Sequence, residues 1–206
     1  RKAMRFFFLT TLFVLTSCGQ TAGLNLGHYP DPNASPKEFI YCHGYSCSQK
    51  TLFGFTAREW KSVQKIFKKK PKSAEAEREK IGQAIAKMET IIGKAIGTDE
   101  DLPKAPIKKS SDNELDCVDE TINTTKLLGF LEKDGLLKFH TVGNPAYKGL
   151  FVNGVYPHNT ATVIEVETGH IYVIDSYIYK NGAPPNIRDI DSWLQYRVED
   201  LEETND

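Results

Sequence analysis

After Gly135 the hydrophobic period of this chain changes from helical to strand-like, and that change limits its fold more than any other feature. Upstream, Thr56-Ala57-Arg58-Glu59 reads as a capping box, with Trp60, Val63, Ile66 and Phe67 following at helical spacing. Lys68 to Lys70 suit the negative end of that helix, and Pro71 stops it. A second helix is expected over Ser73 to Ile96, where Ile81, Ala84, Ile85, Met88, Ile91, Ile92 and Ile96 share one face and Gly97 caps the end. A third begins near Cys117, buries Val118, Ile122, Thr125, Leu128, Gly129 and Leu131, and ends at Gly135. Downstream the runs LLKFHTV, GLFVNGVY, NTATVIEVE and HIYVIDSYIY read as strands, with a hairpin at Thr168-Gly169. Helices followed by an antiparallel sheet make the fold class α+β.

The first 17 residues stand apart. Arg1, Lys2 and Arg5 precede an apolar run from Phe6 to Leu15, too short for the ~20 residues a bilayer requires, so a signal peptide is expected. Leu15-Thr16-Ser17-Cys18 resembles the bacterial lipobox, which implies lipidation of Cys18; cleavage near Ser17 without a lipid is the alternative. Gly19 after the cysteine then favours the outer membrane. The expected location is the bacterial cell envelope, with a lipid anchor on the membrane and a Gly-, Pro- and Asn-rich tether over 18–37. The remaining 38–206 fits one domain, with a helical part over 56–135 and a sheet part over 136–195. The whole chain has 26 basic and 27 acidic residues; loss of the three basic signal residues leaves 23 against 27, a net −4. With no basic stripe, nucleic acid is not an expected partner.

Four cysteines are present, and Cys18 is assigned to lipid. Cys42 and Cys47, in YCHGYSC, suit a local disulfide in an oxidising compartment; a metal site that includes His43 is the alternative. Cys117 is left over. A thiol at a helix start meets unpaired N–H groups and the positive end of the dipole, which favour thiolate. Asp116, Asp119 and Glu120 oppose this, so a cationic partner is needed, and an imidazolium is the usual one. His158, after Pro157 at a strand start, is the candidate. Asp175, inside the apolar strand YVIDSYIY, is the acid a buried imidazole would orient. If the hairpin turns at Thr168-Gly169, facing residue numbers sum to 337, and Asp175 faces Thr162. His158 then lies four residues away, roughly 13 Å, unless a bulge or an earlier turn closes the gap. Asn181 is the fallback orienter.

Cys at a helix start, His at a strand start and Asp on the next strand resemble the transglutaminase-like superfamily of the papain-type fold. The nearest relatives by this pattern are the bacterial transglutaminase-like cysteine proteinases. The resemblance spans about residues 110–195 and rests on DCVDE, PHNTATV and VIDSY. It implies a papain-like core, Cys117 as nucleophile, His158 as general base and acid, and Asp175 as orienter. Papain-type enzymes often place a Gln in the oxyanion hole shortly before the Cys. Here SSDNELDC has none, and Asn113 with the Cys117 N–H is the substitute. Some relatives bind calcium beside the nucleophile, for which Asp116, Asp119 and Glu120 are the oxygen donors; simple dipole pairing at a helix start is the other reading. No cofactor is otherwise required.

The expected function is a lipid-anchored cysteine hydrolase, a protease or amidase, or an acyltransferase, acting on a protein or peptide through a thioester. The alternative is a non-enzymatic envelope protein that binds a partner, with Cys117 inert or bridged to another chain. Trp193 is expected as a core anchor, and the final VEDLEETND as a solvated tail.

Overall fold

A computed structural model describes residues 33–104, 113–149 and 157–195. The signal peptide, Cys18, tether residues 18–32, the Asn153-Gly154 turn and the acidic tail lie outside the described residues. The described part of the tether is packed: Ala34 is buried in the core, and Ser35 and Glu38 exchange backbone bonds of 3.0 Å.

The chain is α+β, with several additions to the expected order: a hairpin ahead of the helices, a short strand over 146–148, and a strand and a helix over 186–195. A hairpin of β1 (Phe39–His43) and β2 (Gln49–Phe53) precedes the helices. Then come α1 (Ala57–Gln64) with a 3-10 turn at Lys65–Phe67, α2 (Ala74–Ile96) and α3 (Cys117–Lys133). The second sheet follows: β3 (His140–Val142), β4 (Ala146–Lys148), β5 (His158–Glu165), β6 (Ile171–Asp175) and β7 (Asn186–Asp189). A 3-10 turn at Ser176–Ile178 follows β6, and α4 (Ile190–Gln195) comes last. All pairings are antiparallel, in the order β3-β5-β6-β7 with β4 also on β5. β3 and β4 therefore edge successive stretches of β5. Between them Gly143 donates to the Thr162 carbonyl at 3.0 Å, and any Cβ there would fall 2.3 Å from Thr162 Oγ1.

Local signals set the helix boundaries. Thr56 and Glu59 form the reciprocal capping box, with the Thr56 N–H donating to the Glu59 carboxylate at 2.8 Å. Ser73 caps α2 at its start, and Gly97, with φ 86°, takes the left-handed conformation at its end.

For α3 the burial matches expectation in part: Thr125, Leu128 and Leu131 are buried as expected. Val118, Ile122 and Gly129 are only partly buried, while Leu127, Leu128, Phe130 and Leu131 sit in the core. The helix packs against β1, α2 and β5, so it is covered on several sides and carries little amphipathic signal. Its neighbours in the core include Ile81, Ile85 and Met88 of α2 and Ala161, Val163 and Ile174 of the sheet.

Candidate active site

The site begins with strand register. Glu165 and His170 pair across the turn, and Gly169 at φ 72° donates to the Glu165 carbonyl at 2.8 Å. Along β5 and β6, Ala161 faces Ile174 and Thr162 faces Val173. Facing numbers thus sum to 335 rather than 337. Of the two expected remedies, a bulge or an earlier turn, this is the earlier turn, and it places Asp175 opposite Thr160. His158 is then two residues along the same face, a diagonal that long side chains span. Its Nε2 lies 2.7 Å from Asp175 Oδ2.

Both residues are buried, His158 at 2% exposure and Asp175 at 1%. A carboxylate only accepts, so Nε2 carries the proton and Nδ1 is the nitrogen left for other work. Burial alone would disfavour the imidazolium. The charge and hydrogen bond of Asp175 overcome this, and with the Cys117 sulfur they raise His158 to about 9. Trp193 Nε1 donates to the same Asp175 oxygen at 2.9 Å, and the rings of Tyr177 and Trp193 lie 5.3 and 5.7 Å from the imidazole. Lys148, the strand partner of His158, reaches the Trp193 carbonyl at 2.6 Å. Asp175 Oδ1 is buried with no hydrogen-bond partner.

Cys117 is the first residue of α3 and is half-buried. Its sulfur accepts a long contact, 3.8 Å, from Asn159 Nδ2 and is near enough to His158 to favour the charged ring. The structure thus gathers Cys117, His158 and Asp175 at one end of α3 and β5. Ser176, next to Asp175, donates to Glu89 Oε1 at 2.8 Å and meets Thr124 Oγ1 at 3.1 Å, pinning the end of β6 to α2 and α3.

The acidic residues around the thiol have separate occupations. Asp116 caps α3, accepting from the N–H of Val118 and Asp119 at 3.0 and 2.9 Å, and its other oxygen takes the Ser46 N–H at 3.0 Å. Asp119 accepts from the N–H of Tyr45 and Cys47 at 2.9 and 2.6 Å. Burial and the charge of Asp116 push Asp119 up to about 7, against these bonds. The donors come from residues 44–47, which all have positive φ (75°, 68°, 53° and 57°). The Cys42–Cys47 disulfide closes that loop. With both sulfurs joined, and His43 Nε2 on Thr51 Oγ1 at 2.9 Å, the metal alternative for this motif is set aside.

Glu120 turns into the body instead. Burial, then the charges of Glu89, Asp101, Asp119 and Asp175, raise it well above the usual carboxylate range. Glu120 Oε2 and the Tyr41 hydroxyl are both buried without a hydrogen-bond partner. Among the described residues, no group of three His, Cys, Asp or Glu side chains is placed to hold a metal ion.

Two other expected residues lie elsewhere. Asn113 is exposed, its side chain beside Gly97 at the end of α2. Asn181 lies against Gly93 of α2, with Nδ2 buried and unpartnered, so it does not orient His158. Asn159 and the indole of Trp193 meet the site without having been singled out for it. Asn159 has the strand parity of core residues Ala161 and Val163, so a buried polar side chain on the helix-facing side was legible from alternation. Comparison with protein-family models, curated proteins and solved structures gave no match.

Proposed function

We propose that this chain is a cysteine-dependent acyl-transfer enzyme, chiefly a hydrolase of peptide or amide bonds, built on the papain-type plan of the transglutaminase-like superfamily. The observation that carries this is His158, with one ring nitrogen on a buried carboxylate and a cysteine thiol beside the ring. Support for the fold comes from the placement of the nucleophile at the start of a helix packed on an antiparallel sheet, whose adjacent strands bear the imidazole and the carboxylate.

His158 Nδ1 holds the proton that Cys117 gives up, as suits an imidazole raised to about 9, and the sulfur attacks the substrate carbonyl carbon. The carbonyl π electrons move to oxygen; as they return, the C–N bond breaks and the imidazolium protonates the departing amine. A thioester remains. Water, deprotonated by His158, then adds to the thioester carbonyl; the C–S bond breaks, its electron pair returns to sulfur with the imidazolium proton, and the acid leaves, whereas an amine in place of water gives cross-linking. Asp175 holds the tautomer and the imidazolium through both stages. The proposed setting is the cell envelope, with a lipid on Cys18 and a protein or peptide substrate.

Iodoacetamide labelling tests the reading. The native thiol is expected to react faster at neutral pH than the urea-unfolded chain, and Cys117→Ala removes that fast labelling while the fold survives. Equal native and unfolded rates would defeat the proposal and leave an envelope protein that binds a partner.

A further inference from the structure

Building on the cysteine-enzyme reading above, we propose that Asn159 is the oxyanion donor of this site, in the place the sequence assigned to Asn113. Asn113 sits exposed beside Gly97, at the far end of the preceding loop. Asn159 is 5% exposed and directs Nδ2 at the Cys117 sulfur from 3.8 Å. A carbonyl carbon attacked by that sulfur must sit within bonding distance of it. Its oxygen then lies one C–O bond further on, so a donor already facing the sulfur is close to where negative charge develops.

Two features make this amide suitable. It is carried on a paired strand, β5, immediately after His158, so the proton acceptor and the oxyanion donor share one rigid element. It is also desolvated, and a donor facing an oxyanion in a water-poor pocket contributes more than the same amide in water. The N–H of Cys117 is the second donor. As the first residue of α3 it has no partner within the helix, and the Asp116 carboxylate takes the N–H groups of Val118 and Asp119 instead.

Two reactions on the same sulfur separate this role from a merely structural one. Acylation by p-nitrophenyl acetate forms the S–C bond while negative charge builds on the carbonyl oxygen. The C–O bond to p-nitrophenolate then breaks, the electron pair leaves with that oxygen, and the thiol proton goes to His158. Alkylation by iodoacetamide displaces iodide from a CH2 group and creates no oxyanion. In Asn159→Ala, acylation is expected to fall on the order of 10²-fold. Alkylation of the same variant should change by no more than about threefold, the weight of one long neutral hydrogen bond to sulfur. Asn159→Leu, close in shape and free of added charge, is the second variant should Ala loosen the strand; it should show the same split with a melting temperature near wild type.

Acylation in both variants within about threefold of wild type overturns the assignment, as does an alkylation loss as large as the acylation loss. If wild type itself fails to acylate and its thiol reacts no faster than the unfolded one, the enzyme reading falls and the assignment with it. Normal acylation in the variants removes Asn159 alone and leaves Cys117 and His158 in place.

Discussion

Among the described residues there are two buried histidine–carboxylate pairs, and of these His158–Asp175 stands beside a thiol. His140 Nδ1 lies 3.0 Å from Glu77 Oε1, and His158 Nε2 lies 2.7 Å from Asp175 Oδ2. At the first pair every polar group is engaged. Glu77 also accepts from the N–H of Lys138, Phe139 and His140 at 2.7, 2.9 and 3.0 Å, and Arg78 Nη1 meets His140 Nε2 at 3.2 Å. A guanidinium only donates, so that nitrogen accepts there, and both ring nitrogens are occupied. At the second pair one ring nitrogen is left toward Cys117, and one carboxylate oxygen is unpartnered. The saturated pair ties β3 to α2; the unsaturated pair has capacity for proton transfer. What separates them is not the residue types but what the second ring nitrogen meets.

The largest expected effect tests the chemical side. His158→Asn and Asp175→Asn should each lower acylation of Cys117 by about 10²- to 10⁴-fold. His140→Asn should leave the folded fraction reacting at its normal rate. A comparable loss in His140→Asn would erase the distinction.

The next effect tests the structural side. Glu77→Gln leaves three backbone donors and a buried imidazole poorly served, and chemical denaturation should show a loss of about 3–5 kcal/mol. Under folding conditions the thiol should still alkylate normally.

A third effect lies in pH dependence, where the pairs carry opposite signs. His158 is raised to about 9, so the stability it adds is complete below its ordinary value of about 6.5 and is lost as pH rises through about 9. Burial would raise Glu77, but His140 and the backbone donors hold it below its ordinary value. Its contribution is therefore present above the ordinary carboxylate range and lost as pH falls through the lowered one. The melting difference between wild type and His158→Asn should shrink between about pH 6.5 and 9. The difference against Glu77→Gln should shrink only in acid. Parallel curves would sink the contrast.

The smallest effect concerns Trp193. Trp193→Phe keeps an aromatic ring against His158 but removes a donor from Asp175 Oδ2, at a cost of about 1 kcal/mol in stability. Thermal melting reads the cost, and the basic limb of the acylation profile reads any change at His158.

Helix starts and stops were legible because their chemistry is local: Thr56 with Glu59, Ser73, Gly97 and Gly135 each act within one turn of the chain. The β1–β2 hairpin was not, since Tyr41, Cys42 and His43 are consecutive buried residues that break alternation, and the left-handed loop at Gly44–Cys47 hides the turn. On α3 Thr125, Leu128 and Leu131 were legible as buried, while Val118, Ile122 and Gly129 were not, because a helix covered on several sides has no single stripe. Cys117, His158 and Asp175 stood out as polar groups in costly positions. The register joining two of them turned on where β5 ends, at Glu165, which no residue type announces. Asn159 was legible as a buried polar position by its parity with Ala161 and Val163, but its link to the site shows only once the sulfur is seen in front of it.

The loop sealed by Cys42 and Cys47 bears on how the chain matures. In the oxidising envelope proposed above, with Cys18 lipidated, the other three cysteines allow three pairings, and two of them would consume Cys117. The ring between Cys42 and Cys47 is short, whereas the one between Cys47 and Cys117 is roughly fourteen times longer in sequence, a closure penalty larger by about 2 kcal/mol. The near pair is favoured to join first, and in doing so it shapes the strap that docks on the start of α3. Sealing one pair thus spares the third sulfur from being trapped and seats the helix that presents it.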